Sequence, residues 1–287
     1  MIATTTHANI ETDPAALEAR RVVAAALALA LRDPHWTVEA FDPPPENLIR
    51  CAWALAASKC SGAPRSGLSL GEIPPDEADP TPLARWLALP HARRERAYRI
   101  VFGHVAPAAC PPTETEYCSS KDTTHRAQHL ADAAGFYNAF GLEPDRARPE
   151  RHDHASIEIA FVAFLLEHRI NAADPEAADA ERETICRDAQ QAFLQDHIVW
   201  WIPTFARLME ERIRRLLQPV AQRDDLEVRD DIETLAAVGR LLRAWTAIER
   251  QAEDIEPLHR IIEPAVMIND PEDDACGECS SCQAPPE

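Results

Sequence analysis

Apolar residues return at three-to-four spacing in segment after segment of this chain, and no stretch sustains a period-two alternation. That spacing gathers apolar side chains on one face of a helix, whereas a strand would throw them to both faces. Glycine is scarce, 8 in 287 residues, so turns and phosphate-cradling loops that need positive φ are few. The 24 prolines concentrate between the periodic segments, where they act as breakers. The chain is expected to be all-α.

The periodicity predicts helices over 15–31, 46–58, 82–89, 92–102, 124–140 and 230–250. A long helical tract is expected over 176–217, broken or kinked at Pro203, and a short helix at 257–262. Residues 61–82 read as a long surface loop, and Gly141 as a helix C-cap. The stretch 107–123 breaks helical pattern and holds Pro111 and Pro112, which stiffen it into an extended spacer. It is read as a Pro-rich hinge between a helical lobe at 1–106 and a second at 124–269. An acidic tail, 270–287, is expected to stay disordered unless a metal or partner orders it.

Charge and cysteine use narrow the function. The formal balance, 29 − 48 = −19, opposes phosphate neutralisation and hence broad nucleic-acid binding, and it is repelled by anionic lipid. Such a surface suits a partner that offers arginines. Eight cysteines are too few for a disulfide scaffold in a chain this long, so reduced thiols and a cytoplasmic setting are expected. Arg20-Arg21 followed by an apolar run at 22–31 imitates a twin-arginine export signal. Glu11, Asp13 and Glu18 precede it and Arg32-Asp33 closes it, and the run is too short to span a bilayer. It reads instead as a buried first helix, capped by Thr12 or Asp13 with Pro14 at its first position. No membrane insertion is expected.

The richest chemistry lies at 150–169, where Arg151, His152, Asp153 and His154 open an apolar helix. In one reading Asp153 caps the helix and His154 pairs with Glu158; in the other both face a groove and accept a peptide's donors. Metal binding by His152-Asp153-His154 is a further alternative, weakened because side chains two apart on a helix do not face each other. Trp200, Trp201 and Phe205 beside Pro203 are either core or the wall of a peptide groove. Cys110 and Cys118 read as two ordinary thiols. Cys276, Cys279 and Cys282 form C-x2-C-x2-C, three soft ligands where zinc normally takes four, so transient metal binding and an inert tail both stay open. The P-loop, dinucleotide-binding, nucleophile-elbow and zinc-protease motifs are absent.

Three blocks in order resemble the TorD/DmsD/NarJ family of molybdoenzyme chaperones. CPPTETEY (110–117) is similar to its Pro-Pro-Tyr-Glu-x-x-Tyr block, with Thr113 where Tyr is usual. Residues 136–166 resemble its aromatic helix leading to Pro-x-Asp-His-x-x-x-Glu-x-x-Phe, with a longer Pro149-to-Asp153 spacing. FLQDHIVWWIPTFARLM (193–209) resembles its Phe-Leu-x-x-His-x-x-x-Trp-x-Pro-x-Phe block. Within the family, the hinge block is most like chaperones of the type II dimethyl-sulfoxide-reductase group.

The resemblance implies an all-helical protein without catalysis or a cofactor of its own. It would bind the apo catalytic subunit of a molybdenum enzyme, or that subunit's twin-arginine signal, until cofactor insertion is complete. Asp153 and His154 match the family's peptide-recognition pair and Glu158 its following acid. Client binding is accordingly expected at these three with His152, Glu114, Tyr117, Trp200 and Trp201. The rival readings are a metal- or redox-linked accessory protein working through Cys276, Cys279 and Cys282, and a helical hydrolase using His152, Asp153 and His154.

Overall fold

The computed structural model describes residues 13–36, 42–58, 60, 67–103, 109–120, 122–143, 150–174, 179–218 and 226–259. The tail with Cys276, Cys279 and Cys282 lies outside them. Among the described residues the chain forms nine α-helices and no strand: α1 Pro14–Leu31, α2 Glu46–Ser58, α3 Thr81–Ala88, α4 His91–Phe102, α5 Thr123–Ala139, α6 Ala155–Ala172, α7 Ala180–Phe193, α8 Ile202–Leu217 and α9 Leu226–Ala252. None is long and apolar enough to cross a membrane.

Local chemistry sets the helix starts. Asp13 caps α1, its Oδ1 accepting from the Ala15 amide, and Pro14 takes the first turn, where no amide hydrogen is needed. Asp122 and Asp179 cap α5 and α7 in the same way. Phe140 is the C-cap of α5, and Gly141 follows it with φ 72°, one position beyond the sequence expectation. The tract expected over 176–217 divides: α7 passes into a π turn, Leu194–Ile198, and α8 starts afresh with Pro203 in its first turn. Pro203 thus opens a helix instead of kinking one. The described part of the short helix expected at 257–262 is not helical.

The twin-arginine mimic is a core helix. Twelve residues of α1 are buried, and its small alanines let it lie along α6, with α2, α3 and α9 against its other faces. A helix apolar nearly all round needs neighbours on several sides. The packing therefore runs across the hinge: α1 joins α6, and α9 joins α3, α4 and α8, in one continuous core. The indole of Trp86 donates to the Ala30 carbonyl at 3.0 Å. Buried ion pairs add direction. Arg20 bridges Glu249 and Glu253, and Arg169 reaches Glu253 at 2.8 Å.

Two segments differ from expectation. Residues 67–80, read as surface loop, include buried Ser69, Glu72, Ile73 and Pro75, because Glu72 pairs with buried Arg250 (2.9 Å) on α9. Gly71, at φ 93°, brings this segment against Pro203. The segment read as the hinge is not extended throughout either, since Glu114–Tyr117 form a 3-10 turn. Cys110, Thr113, Glu114, Thr115 and Tyr117 are buried, with Tyr117 packed on Trp201 at 5.2 Å and its hydroxyl donating to the Pro111 carbonyl.

Candidate functional site

The hinge is pinned to the start of α6. The Ala155 amide donates to the Pro112 carbonyl (2.9 Å) and the Glu114 amide to the Asp153 carbonyl (2.8 Å), which makes a bridge between Thr113 and His154. Asp153 is fully buried. Its Oδ2 accepts from the amide and hydroxyl of Thr115 at 3.0 and 2.7 Å, and Arg151 donates to both of its oxygens. Asp153 is therefore not the helix cap. That role falls to His154, whose Nδ1 accepts from the Ser156 amide at 3.2 Å, so the expected His154–Glu158 pair does not form. Burial lowers the His154 pKa and favours the neutral ring that can accept.

Beneath the hinge turn sits a second polar cluster. Glu114, fully buried, holds His197 Nδ1 3.0 Å from its Oε2, while Trp200 Nε1 donates to its Oε1 at 3.0 Å. His129 Nε2, on α5, lies 2.9 Å from the same Oε1 but off the line of a hydrogen bond. Glu158, also fully buried, accepts from Trp201 Nε1 at 3.1 Å. Burial first, then the nearby Glu114 and Asp153 carboxylates, push Glu158 well above the usual carboxylate range. No donor faces its Oε1 as a carboxylate, and the neighbouring Glu114 carboxylate favours the protonated form. The thiols flanking this cluster are also masked: burial pushes Cys110 up to about 12 and Cys118 up to about 11, and both are free.

A groove lies on the outer face of α6, separate from these clusters. Ile157, Ala160 and Phe164 form its floor. On one side α5 and the residues after it supply Ala134, Tyr137 and Leu142 around a cavity of about 350 Å³. On the other, Ala25, Leu29 and Arg32 of the α1 region border a second of about 340 Å³. Glu143, Glu150 and Glu167 stand along its rims together with Arg21 and Arg32, and Glu150 already accepts from the Asp33 amide and the Ser156 hydroxyl.

The sequence-predicted residues thus separate. Glu114 with half-buried Trp200, and Glu158 with Trp201, form two neighbouring pairs, and Tyr117 packs on Trp201. Asp153 and His154 brace the hinge, and His152 borders the groove, its carbonyl accepting from the Tyr137 hydroxyl at 2.9 Å. Sequence reasoning singles out neither His129 nor His197 as a site residue. His197 stands in the 193–209 block, whereas His129 carries no local signal.

The family model described as nitrate reductase delta subunit matches residues 78–207, a span holding the hinge, both polar clusters and the floor of the groove. Over that span the chain is similar to the nitrate reductase delta subunit family. This delta-subunit family consists of maturation chaperones that act with molybdenum enzymes and are not themselves catalysts. No curated protein and no solved structure matches the chain. Helices α1, α2 and α9 lie outside the matched span, yet α1 and α9 complete its core.

Proposed function

We propose that this protein works in the cytoplasm, holding the apo catalytic subunit of a molybdenum enzyme until cofactor insertion is complete, and that the groove on α6 receives an apolar client segment. A twin-arginine signal peptide is one such segment, and the client belongs to the type II dimethyl-sulfoxide-reductase group. The observation that carries the reading is the groove itself: an apolar floor inside the family-matched span, rimmed by Glu143, Glu150 and Glu167. A helix or extended segment could bury its apolar side there while its arginines meet the rim carboxylates. Burial would supply most of the affinity and the carboxylates the orientation. In this reading Asp153, His154 and Glu158 shape the groove from below and do not touch the client.

The test is anaerobic co-purification from the native cytoplasm, with mass spectrometry and molybdenum analysis of whatever is retained. A stoichiometric catalytic subunit lacking molybdenum cofactor supports the reading. Ala160→Glu, on the exposed floor, should abolish that capture while the thermal midpoint stays unchanged. Capture that survives Ala160→Glu would remove the groove from the proposal, and absence of any molybdenum-enzyme subunit would remove the function.

A further inference from the structure

Three donor atoms from three separate elements converge below Trp200: a carboxylate oxygen of Glu114 on the hinge turn, Nε2 of His129 on α5, and Nδ1 of His197 on the π turn. All lie within 4.8 Å of one another. Bonds of about 2.0–2.1 Å from a tetrahedral zinc ion set neighbouring donors about 3.3 Å apart. His129 Nε2 lies 2.9 Å from Oε1 of Glu114 and His197 Nδ1 3.0 Å from its Oε2, so each imidazole already approaches the carboxylate to about that spacing, through a different oxygen. His197 Nδ1 is hydrogen-bonded to Glu114, while the buried Nε2 of His129 meets Glu114 as a charge contact at 2.9 Å, off the line of a hydrogen bond.

We infer that Glu114, His129 and His197 bind a divalent transition-metal ion of the zinc class. Two nitrogens and one carboxylate oxygen suit zinc, cobalt(II), nickel(II) or iron(II) better than magnesium or calcium. Two other features belong to a built site. His197 sits on a single π turn, a helix distortion frequent at functional sites. Trp200 Nε1 donates to Glu114, the outer partner that orients a ligating carboxylate. The cluster opens on a cavity of about 960 Å³ that Asp132 and Asp196 border and that no lysine or arginine lines among the described residues, so a cation and a solvent ligand can reach it. The ion would staple α5, which buries little beyond Ala133 and Tyr137, to the hinge and the π turn. This inference is independent of the client reading.

The test must separate this site from the terminal cysteines. The full chain carrying Cys276→Ser, Cys279→Ser and Cys282→Ser is stripped with chelator and titrated with Co²⁺, then with Zn²⁺. One Co²⁺ per chain is expected, with visible d–d bands, no thiolate charge-transfer band, and displacement by Zn²⁺. Two hyperfine-shifted, exchangeable imidazole N–H resonances should appear in the proton spectrum, a readout that needs no change at the site. Trp200→Phe should weaken binding about 10–100-fold and His129→Ala by more, with circular dichroism confirming that both variants fold. No Co²⁺ bound by the triply substituted chain, or binding indifferent to His129→Ala, would overturn the inference.

Discussion

Asp153 and Thr115 are joined twice, the Thr115 amide and hydroxyl both donating to Oδ2 of a carboxylate with no exposed surface. A buried carboxylate so placed locks the hinge turn onto α6 and has no lone pair directed at solvent. Loss of client binding on changing Asp153 would therefore follow from a loosened hinge.

Asp153→Ala should destabilise the fold by about 2–3 kcal/mol, the value of a buried charged hydrogen bond. The half-exposed Arg151 adds little, being screened by solvent. Thr115→Val should cost about 1–2 kcal/mol, and the double variant less than the sum, because the two changes remove the same bond. Urea unfolding of the four proteins measures this, and additive losses would show that the pair is not coupled.

Glu158 yields a pH prediction. Its folded pKa is raised, so the folded state holds the proton more tightly than the unfolded chain. The stabilisation is complete below the ordinary carboxylate pKa and is lost as pH rises through the folded value. Glu158→Gln keeps a neutral donor and acceptor there and should flatten this decline, making the variant the more stable protein at the alkaline end. Urea midpoints of both proteins from acid to alkaline pH provide the comparison. Parallel curves would mean that Glu158 does not titrate differently on folding.

The helices were legible because their signals are local. Periodicity, Asp13 before Pro14, and the Pro-rich breaks placed most boundaries to within a residue or so. Burial of polar groups was not legible in that way. CPPTETEY is short and polar and reads as a spacer, yet its Glu114 is met by His197, 83 positions away, and by Trp200. Nothing near Glu114 in the chain announces those partners. The same holds for Asp153 and His154: His154 took the cap expected of Asp153 once Thr115 and Arg151 supplied Asp153 with other donors.

Gly71 and Gly135 should respond to alanine with opposite signs. Gly71 has φ 93°, and a Cβ there would stand 3.1 Å from the Pro203 Cβ. Gly71→Ala should destabilise by about 1–3 kcal/mol. Gly135 lies inside α5, and a methyl group added to it would meet nothing within 4 Å, so Gly135→Ala should stabilise by about 0.5–1 kcal/mol through helix propensity. Thermal midpoints decide both, and a shift of the same sign in the two variants would contradict the backbone argument.

Arg20 tests the tie between the first helix and the last. Burial disfavours its charge, but Glu249 and Glu253 outweigh that and raise its pKa above the ordinary arginine value. Removing the guanidinium leaves the buried Glu249 without that partner, whereas Glu253 keeps Arg169. Arg20→Ala should therefore cost about 3–5 kcal/mol. Arg20→Met with Glu249→Leu should recover most of that loss, since a buried pair replaced by apolar groups of similar volume is often neutral. Urea unfolding of the single and paired variants measures the recovery. A paired variant no more stable than Arg20→Ala would mean that packing, and not the stranded charge, accounts for the loss.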